Sequence, residues 1–196
     1  MHAVTFLLLA IPLVEGFIKP IGNELMSRST VKNNCTCPLS KSVLSICPGH
    51  CEDGWAYYSR KDACYKAYHM GNFDDAEGIC EMKGGHLASI HSFAENEFVT
   101  ELAKSGVAAD NIWKGTWIGL RQAKHPLSKE WTWTDGTEVD YTPWSKNQPD
   151  DYGGAEHCAH LFCDAMVNTN YEYRKWNDAP CSLKMRTFVC KKEAMH

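Results

Sequence analysis

Ten cysteines lie in this chain of 196 residues, three of them before residue 50. So many cysteines in a chain of this size indicate either disulfides or metal sites, and the cellular compartment decides between the two. The apolar run Val4–Val14 is too short to span a bilayer, and small side chains at Val14 and Gly16 suit signal-peptide cleavage after Gly16. We therefore predict a signal peptide over residues 1–16 and a secreted, extracellular protein with disulfides. An uncleaved short anchor stays an alternative, because no Lys or Arg precedes the apolar run.

The charge balance argues against a nucleic-acid partner. The chain has 20 Lys and Arg against 24 Asp and Glu, a net charge of −4, whereas nucleic-acid-binding surfaces need clustered positive charge. Hydrophobic residues make up 44% of the chain, which is enough for a packed core. No later stretch has the length and apolarity of a membrane span, so we expect no membrane insertion.

Composition divides the rest of the chain into an arm and a domain. Residues 17–50 are rich in Ser, Asn, Lys and Pro and show little apolar periodicity, so we predict an N-terminal arm that contains three cysteines. The sequon at Asn34 predicts a glycosylation site on this arm. Aromatic, strand-forming residues follow, and we predict a folded domain over residues 51–192 and a short tail over residues 193–196.

Local signals predict two helices. Asn72 can cap a helix that starts at Phe73 and ends before Gly84 and Gly85. Ser92 begins a second helix through a capping box. We interpret the charged positions of this second helix as a solvated face; they are Glu95, Glu97, Glu101 and Lys104.

Strand signals lie on both sides of these helices. Residues 59–62 separate two aromatic runs and predict a hairpin turn. Residues 116–120 predict a buried strand, and residues 187–190 predict the last strand. Beyond Gly136 we expect mostly long loops, because periodic segments are few. The tryptophans are expected in the core: Trp117, Trp131, Trp133, Trp144 and Trp176.

Oxygen-bearing side chains are concentrated between residues 148 and 178. Three carboxylates and two amide carbonyls form a set that suits Ca²⁺, a hard cation that takes six to eight oxygens and is abundant outside cells. A zinc site over residues 157–163 is the alternative, but that spacing fits no standard zinc motif, and secretion favours disulfides. The predicted calcium ligands are Gln148, Asp150, Glu156, Asn177 and Asp178.

Three motifs identify a family. Trp-Ile-Gly-Leu at residues 117–120, Gln-Pro-Asp at 148–150 and Trp-Asn-Asp at 176–178 stand in a frame of four cysteines. Each motif alone is weak, but the ordered set closely resembles a C-type lectin-like domain over residues 51–192. This resemblance implies an α+β fold with two helices, small antiparallel sheets and long calcium-binding loops, stabilised by disulfides. It also implies a binding protein rather than an enzyme.

The resemblance implies three disulfides. Family members pair the cysteine of the first helix with that of the last strand and join two loop cysteines, and long forms add a hairpin bond. The bonds expected here are Cys80–Cys190, Cys158–Cys181 and Cys51–Cys64. The remaining four cysteines are free to pair internally or between chains, which allows a disulfide-linked homo-oligomer; they are Cys35, Cys37, Cys47 and Cys163.

The resemblance also implies a sugar ligand. Gln-Pro-Asp is similar to the galactose-type pattern of the family, with Pro149 in the cis form, whereas mannose-preferring relatives carry Glu-Pro-Asn. Tyr152 takes the position of an aromatic, usually Trp, that stacks on the galactose ring, although only Gly153 and Gly154 represent the longer glycine-rich loop. The expected ligand is terminal galactose or N-acetylgalactosamine, in innate immunity or cell-surface recognition. The predicted carbohydrate-binding residues are Gln148, Asp150, Tyr152, Glu156 and Asn177.

One calcium ion and no catalysis are expected. A second calcium site in some relatives needs acids after residue 120, where this chain has Arg121, Gln122, Ala123 and Lys124. A lectin-like module that binds protein instead of sugar is the first alternative. A glycosidase that uses Asp150, Asp151 and Glu156 is the second, and it is disfavoured because metal ligation would keep all three carboxylates ionised.

Overall fold

A computed structural model describes residues 48–167 and 172–196. The predicted signal peptide, most of the predicted arm and Asn34 lie outside these residues. Two short 3₁₀ helices, Ile112–Lys114 and Tyr152–Gly154, accompany the regular elements. In chain order those elements are β1 (Ala56–Tyr58), β2 (Ala63–Gly71), α1 (Phe73–Met82), β3 (His86–Leu87), α2 (Phe93–Ala103), β4 (Thr116–Arg121), β5 (Thr132–Trp133), β6 (Cys158–Leu161), β7 (Trp176–Ala179) and β8 (Met185–Glu193).

The strands form one sheet in the order β1-β2-β8-β4-β6-β7, with β3 paired to β8 and β5 paired to β4. All of these pairs are antiparallel except β4 with β8. The two longest strands, β2 and β8, pair from Ala63 opposite Glu193 to Gly71 opposite Met185. An isolated bridge between His50 and Met195 extends this pairing past both predicted domain boundaries. The two ends of the domain therefore lie side by side.

The hairpin and the first helix form where the sequence predicts them. Tyr58 pairs with Ala63 across the turn. The Asn72 side chain caps α1 by accepting a hydrogen bond from the backbone N–H of Asp75 at 2.8 Å. Phe73 at the start of this helix is fully buried. Helix α1 thus packs its apolar face on the sheet.

The prediction of a solvated charged face on α2 is wrong at Glu95. Ser92 caps this helix as expected, but the Glu95 side chain is fully buried. Its carboxylate accepts hydrogen bonds from the Tyr65 hydroxyl at 2.6 Å, the Lys191 ammonium at 2.9 Å and the His91 backbone N–H at 2.9 Å. Burial opposes its ionisation, but the hydrogen bonds from Lys191 and Tyr65 lower the pKa of Glu95 below its usual range. Partners that are distant in sequence compensate for the buried charge.

Two buried strands lie in the region where we expected mainly loops. Every residue of β6 and β7 is buried, and Trp-Asn-Asp falls within β7. Such strands lack the alternation of a half-exposed strand, which explains why the sequence pattern did not predict them. Trp117, Trp133 and Trp176 are buried, whereas Trp131 and Trp144 are partly exposed and pack against the core.

Three disulfides stabilise the domain: Cys51–Cys64, Cys80–Cys190 and Cys158–Cys181. These are the pairs that the resemblance implied. Cys163 is the free cysteine of the described residues, and its side chain is fully buried. Burial raises the pKa of its thiol to about 12, so Cys163 is inert toward exchange in the folded domain. No helix in residues 48–167 or 172–196 has the length and apolarity needed to cross a membrane.

Candidate functional site

The loop that carries Gln-Pro-Asp is held against β7 by backbone hydrogen bonds. The Trp176 N–H donates to the Pro143 carbonyl at 3.0 Å, and the Ser145 N–H donates to the Trp176 carbonyl at 2.8 Å. The Gln148 N–H then closes a turn onto the Ser145 carbonyl at 3.0 Å. The peptide bond between Gln148 and Pro149 is cis. These bonds place residues 148–150 beside the next residues of β7.

Two buried carboxylates are held by backbone N–H groups of the same loop. One oxygen of Asp178 accepts from the Asp150 N–H at 3.2 Å, and the other accepts from the Asp151 N–H at 2.8 Å. Glu156 accepts from the Tyr152 N–H at 3.2 Å. The loop and the strand therefore fix both carboxylates in place before any ligand arrives.

Asp150, Glu156 and Asp178 offer one oxygen each within 4.8 Å of one another. Glu156 and Asp178 are buried, and Asp150 is exposed. Burial, followed by the negative charge of Asp178, raises the pKa of Glu156 to about 7. Burial also raises the pKa of Asp178, although the N–H groups of Asp151 and Asp150 oppose this effect. A cation between the three carboxylates would relieve their mutual repulsion and keep them ionised.

Both predicted amide ligands carry an oxygen without a partner. The Gln148 Oε1 and Asn177 Oδ1 atoms are buried and have no hydrogen-bond partner among the described residues. The Asn177 Nδ2 donates to the Asp178 carbonyl and lies 3.2 Å from His160 Nε2, so its amide nitrogen is already engaged. A buried acceptor without a partner costs about 1–3 kcal/mol. Unsatisfied amide oxygens in the same loop and strand as the three carboxylates fit a hard cation, Ca²⁺ above all.

The zinc alternative over residues 157–163 has no counterpart in the structure. His160 is fully buried, and burial lowers its pKa to about 3. Its ring packs edge-on against Trp117 and Phe162. Cys158 is in a disulfide, and Cys163 lies in the core. Residues 158–163 are therefore structural.

Tyr152 lies at the outer end of the loop. Its side chain is 78% exposed, and it opens the 3₁₀ helix Tyr152–Gly154. Gly153 and Gly154 both have positive φ, at 67° and 71°, a conformation that favours glycine. The backbone N–H of Tyr152 donates a hydrogen bond to the Glu156 carboxylate, so the residue that carries the exposed ring is anchored to the carboxylate cluster.

The positions after residue 120 offer no cluster of acids. The Arg121 guanidinium pairs with Asp74 at 3.1 Å, and Gln122 Nε2 donates to the Lys129 carbonyl at 3.0 Å. The absence of a second calcium site accordingly stays a prediction.

Sequence reasoning missed the supporting role of Asp151. Its N–H donates to the Asp178 carboxylate, and its Oδ1 accepts from the Glu156 backbone N–H at 3.2 Å. Asp151 therefore contacts both residues that carry the buried carboxylates. The backbone is left-handed here, with φ at 48°. The doubled acid at residues 150 and 151 is the sequence signal that marks it.

Comparison with known proteins shows the family to which the chain belongs. The family model of the Lectin C-type domain matches residues 70–192. This chain belongs to the C-type lectin domain family. The galactose-specific lectin nattectin of Thalassophryne nattereri is 36% identical over 161 residues, which cover 81% of this chain and 90% of nattectin.

Solved C-type lectin structures share the fold. The cow C-type carbohydrate-recognition domain of CD23, crystallised in the presence of a GlcNAc2Man3 oligosaccharide, has a TM-score of 0.62 and 30% identity, and the match covers 76% of this chain and 99% of that domain. A calcium-independent type II antifreeze protein has a TM-score of 0.58 and 30% identity over 75% of this chain and 97% of its own. The α+β prediction is confirmed. Because one of these proteins is calcium-independent, the fold alone does not establish a metal.

Proposed function

We propose that this protein is a secreted, calcium-dependent lectin that binds terminal galactose or N-acetylgalactosamine on glycans. One observation carries the proposal: three carboxylates converge where the Gln-Pro-Asp loop meets β7, and this loop and strand also hold two buried, unpartnered amide oxygens. Nattectin is a galactose-specific lectin, and its similarity to this chain supports the choice of sugar. Roles in innate immunity or cell-surface recognition are the uses we expect.

Five side chains would hold one calcium ion. The carboxylates supply the negative charge, and the two amides supply neutral oxygens; the set is Gln148, Asp150, Glu156, Asn177 and Asp178. Bound calcium would supply a positive centre that two neighbouring sugar hydroxyls can bind. The backbone N–H groups of the loop keep the Asp178 and Glu156 carboxylates oriented, so little ordering remains to be done on binding.

Donors and acceptors around the ion would select the sugar. Gln148 can ligate through its carbonyl oxygen and still donate from its NH₂ group, whereas Asp150 can only accept. This order is the reverse of that in Glu-Pro-Asn, and it suits the axial 4-hydroxyl of galactose. The exposed Tyr152 ring would stack on the apolar face of the same sugar.

Chelator-sensitive retention on a galactose matrix tests this proposal. We expect retention in millimolar calcium, elution by a chelator and competition by galactose rather than mannose. The double substitution Gln148→Glu with Asp150→Asn should shift the preference toward mannose while keeping calcium binding. Retention that a chelator does not reverse would exclude the calcium mechanism. An unchanged sugar profile in the double variant would show that this motif does not set specificity.

A glycosidase is the second candidate, because a glutamate with a pKa of about 7 beside ionised carboxylates is also what a general acid requires. We expect no catalysis, since calcium would hold all three carboxylates ionised. Incubation with an aryl galactoside should release no free phenol above a protein-free control, with and without calcium. Release that Glu156→Gln abolishes would favour the enzyme instead.

The number of cysteines left without a partner in the domain supports oligomerisation through the arm. Three disulfides and the buried Cys163 account for seven of the ten cysteines. Cys35, Cys37 and Cys47 form an odd set, so at least one of them would lack a partner within its own chain. A disulfide-linked dimer would raise the avidity of weak single sites for clustered glycans. Electrophoresis should therefore show a dimer without reductant and a monomer with reductant.

A further inference from the structure

A second cluster of ligating groups lies next to the carboxylates, and it joins His157, from the segment of the zinc alternative, to two residues outside that segment. His125, Asp151 and His157 each offer one ligand atom, and these atoms all lie within 4.8 Å of one another. The two imidazole rings stack with their centroids 3.7 Å apart and their planes 19° apart. All three side chains are partly exposed, although the Nδ1 atom of His157 is itself buried.

Backbone contacts bring the two histidines together from separate loops. The Gln122 N–H donates to the His157 carbonyl at 2.9 Å, and the His125 N–H donates to the Gln122 carbonyl at 3.2 Å. Gln122 also anchors the far side of its loop through the Lys129 carbonyl. The stacking of His125 on His157 is therefore built into the backbone.

The third ligand is positioned independently. Asp151 is held by its own N–H on Asp178 and by the Glu156 N–H on its Oδ1. Its Oδ1 lies 3.8 Å from the His157 Nδ1, too far for a hydrogen bond. The Nδ1 atom is buried and has no hydrogen-bond partner among the described residues. A nitrogen and an oxygen that bind one tetrahedral zinc ion lie about 3.3 Å apart, so this pair must close by about half an ångström, and the stacked imidazole rings must turn so that a nitrogen of each points at the ion.

The donor set selects a different metal from the carboxylate cluster. Two imidazole nitrogens and one carboxylate oxygen suit zinc and related transition metals, whereas calcium takes oxygens. Three protein ligands leave the fourth position of a tetrahedral ion open to water or another group. Lys129 competes for this site, with its ammonium 3.4 Å from the other oxygen of Asp151. Its side chain is 72% exposed, and a surface ion pair of this kind is weak.

We propose that His125, Asp151 and His157 bind a transition metal of the zinc class, separately from the calcium ligands. The site requires neither calcium nor sugar, so the zinc proposal can be tested separately from the lectin function.

Calorimetric titration of Zn²⁺ into the untagged, oxidised full chain tests the proposal. Saturating calcium is present so that the carboxylate cluster is occupied. We expect one zinc ion per chain, and His125→Ala and His157→Ala should each weaken binding by about tenfold or more. Lys129→Met should strengthen binding by up to about fivefold, because it removes the competing cation. His69→Ala is the matched control, since this imidazole is exposed on β2, and its affinity should equal that of the wild type.

Two results would overturn the proposal. One is a zinc affinity that neither histidine substitution changes. Zinc would then bind elsewhere, for example to the cysteines of the arm, which all variants share. The other is displacement of zinc by excess calcium. Circular dichroism of each variant checks that it is folded. Visible absorption of bound Co²⁺, lost in the milder variant His157→Gln, gives a second readout if an alanine variant misfolds.

Discussion

Replacing Glu156 with glutamine should change the stability of the domain in opposite directions with and without calcium. Glu156 is buried beside Asp178 and Asp150, and its pKa is raised from 4.5 to about 7, by burial first and then by the charge of Asp178. A carboxyl group whose pKa is raised by folding destabilises the fold when it ionises. The penalty is absent well below pH 4.5 and complete above about pH 7.

The size of this penalty follows from the same values. The difference between 4.5 and about 7 corresponds to at most about 3.4 kcal/mol. Solvent around the exposed Asp150 screens the repulsion, which reduces the expected penalty to about 1–2 kcal/mol. For a domain of this size, removing that penalty raises the melting temperature by about 2–8 °C.

Thermal unfolding in chelator at pH 5 and pH 8 measures the effect. At pH 8 Glu156→Gln should melt above the wild type, and at pH 5 the gain should shrink to about half. In millimolar calcium the order should reverse, because the variant offers the ion a neutral amide oxygen in place of a carboxylate and binds it more weakly. Glu138→Gln is the control, since this glutamate is exposed. A variant less stable than the wild type in chelator at pH 8 would refute the reasoning.

Three further predictions follow from the fold and the loop. Glu95→Gln leaves the Lys191 ammonium without its charged partner and should lower the free energy of unfolding in urea at pH 7 by about 3 kcal/mol. Because folding lowers the pKa of Glu95, this contribution to stability should disappear as the pH falls through that pKa. Removing the Cys80–Cys190 bond, which spans 110 residues, should cost up to about 4–5 kcal/mol, and an equal midpoint in denaturant would contradict this. Tyr152→Ala should weaken galactose binding while leaving the calorimetric calcium affinity unchanged, and Tyr152→Trp should restore or improve it.

Local signals were sufficient for part of the fold. Helix α1 begins at the predicted residue because Asn72 caps it through a contact three residues away. Glu95 carries the same kind of local signal, but its environment depends on Lys191, which lies 96 residues further along the chain. Strands β6 and β7 were missed because burial on both faces removes the alternation by which a strand is usually found.

The candidate site was also predicted only in part. Family resemblance predicted which residue types would serve as ligands, since three short motifs carry them. The convergence of Asp150 and Glu156 with Asp178 required the hydrogen bonds between the loop and β7. The stacking of His125 on His157 depends on a contact between residues 32 positions apart, which no local pattern reports.

Titration of calcium into chelator-treated protein, with and without galactose, tests the central claim most directly. One ion per chain should bind, and galactose should increase the calcium affinity. The sugar would bind through the ion, and linkage requires each ligand to raise the affinity for the other by the same factor. Asp178→Asn should weaken calcium binding and galactose binding together. No binding at millimolar calcium, or galactose binding of equal strength in excess chelator, would contradict the account.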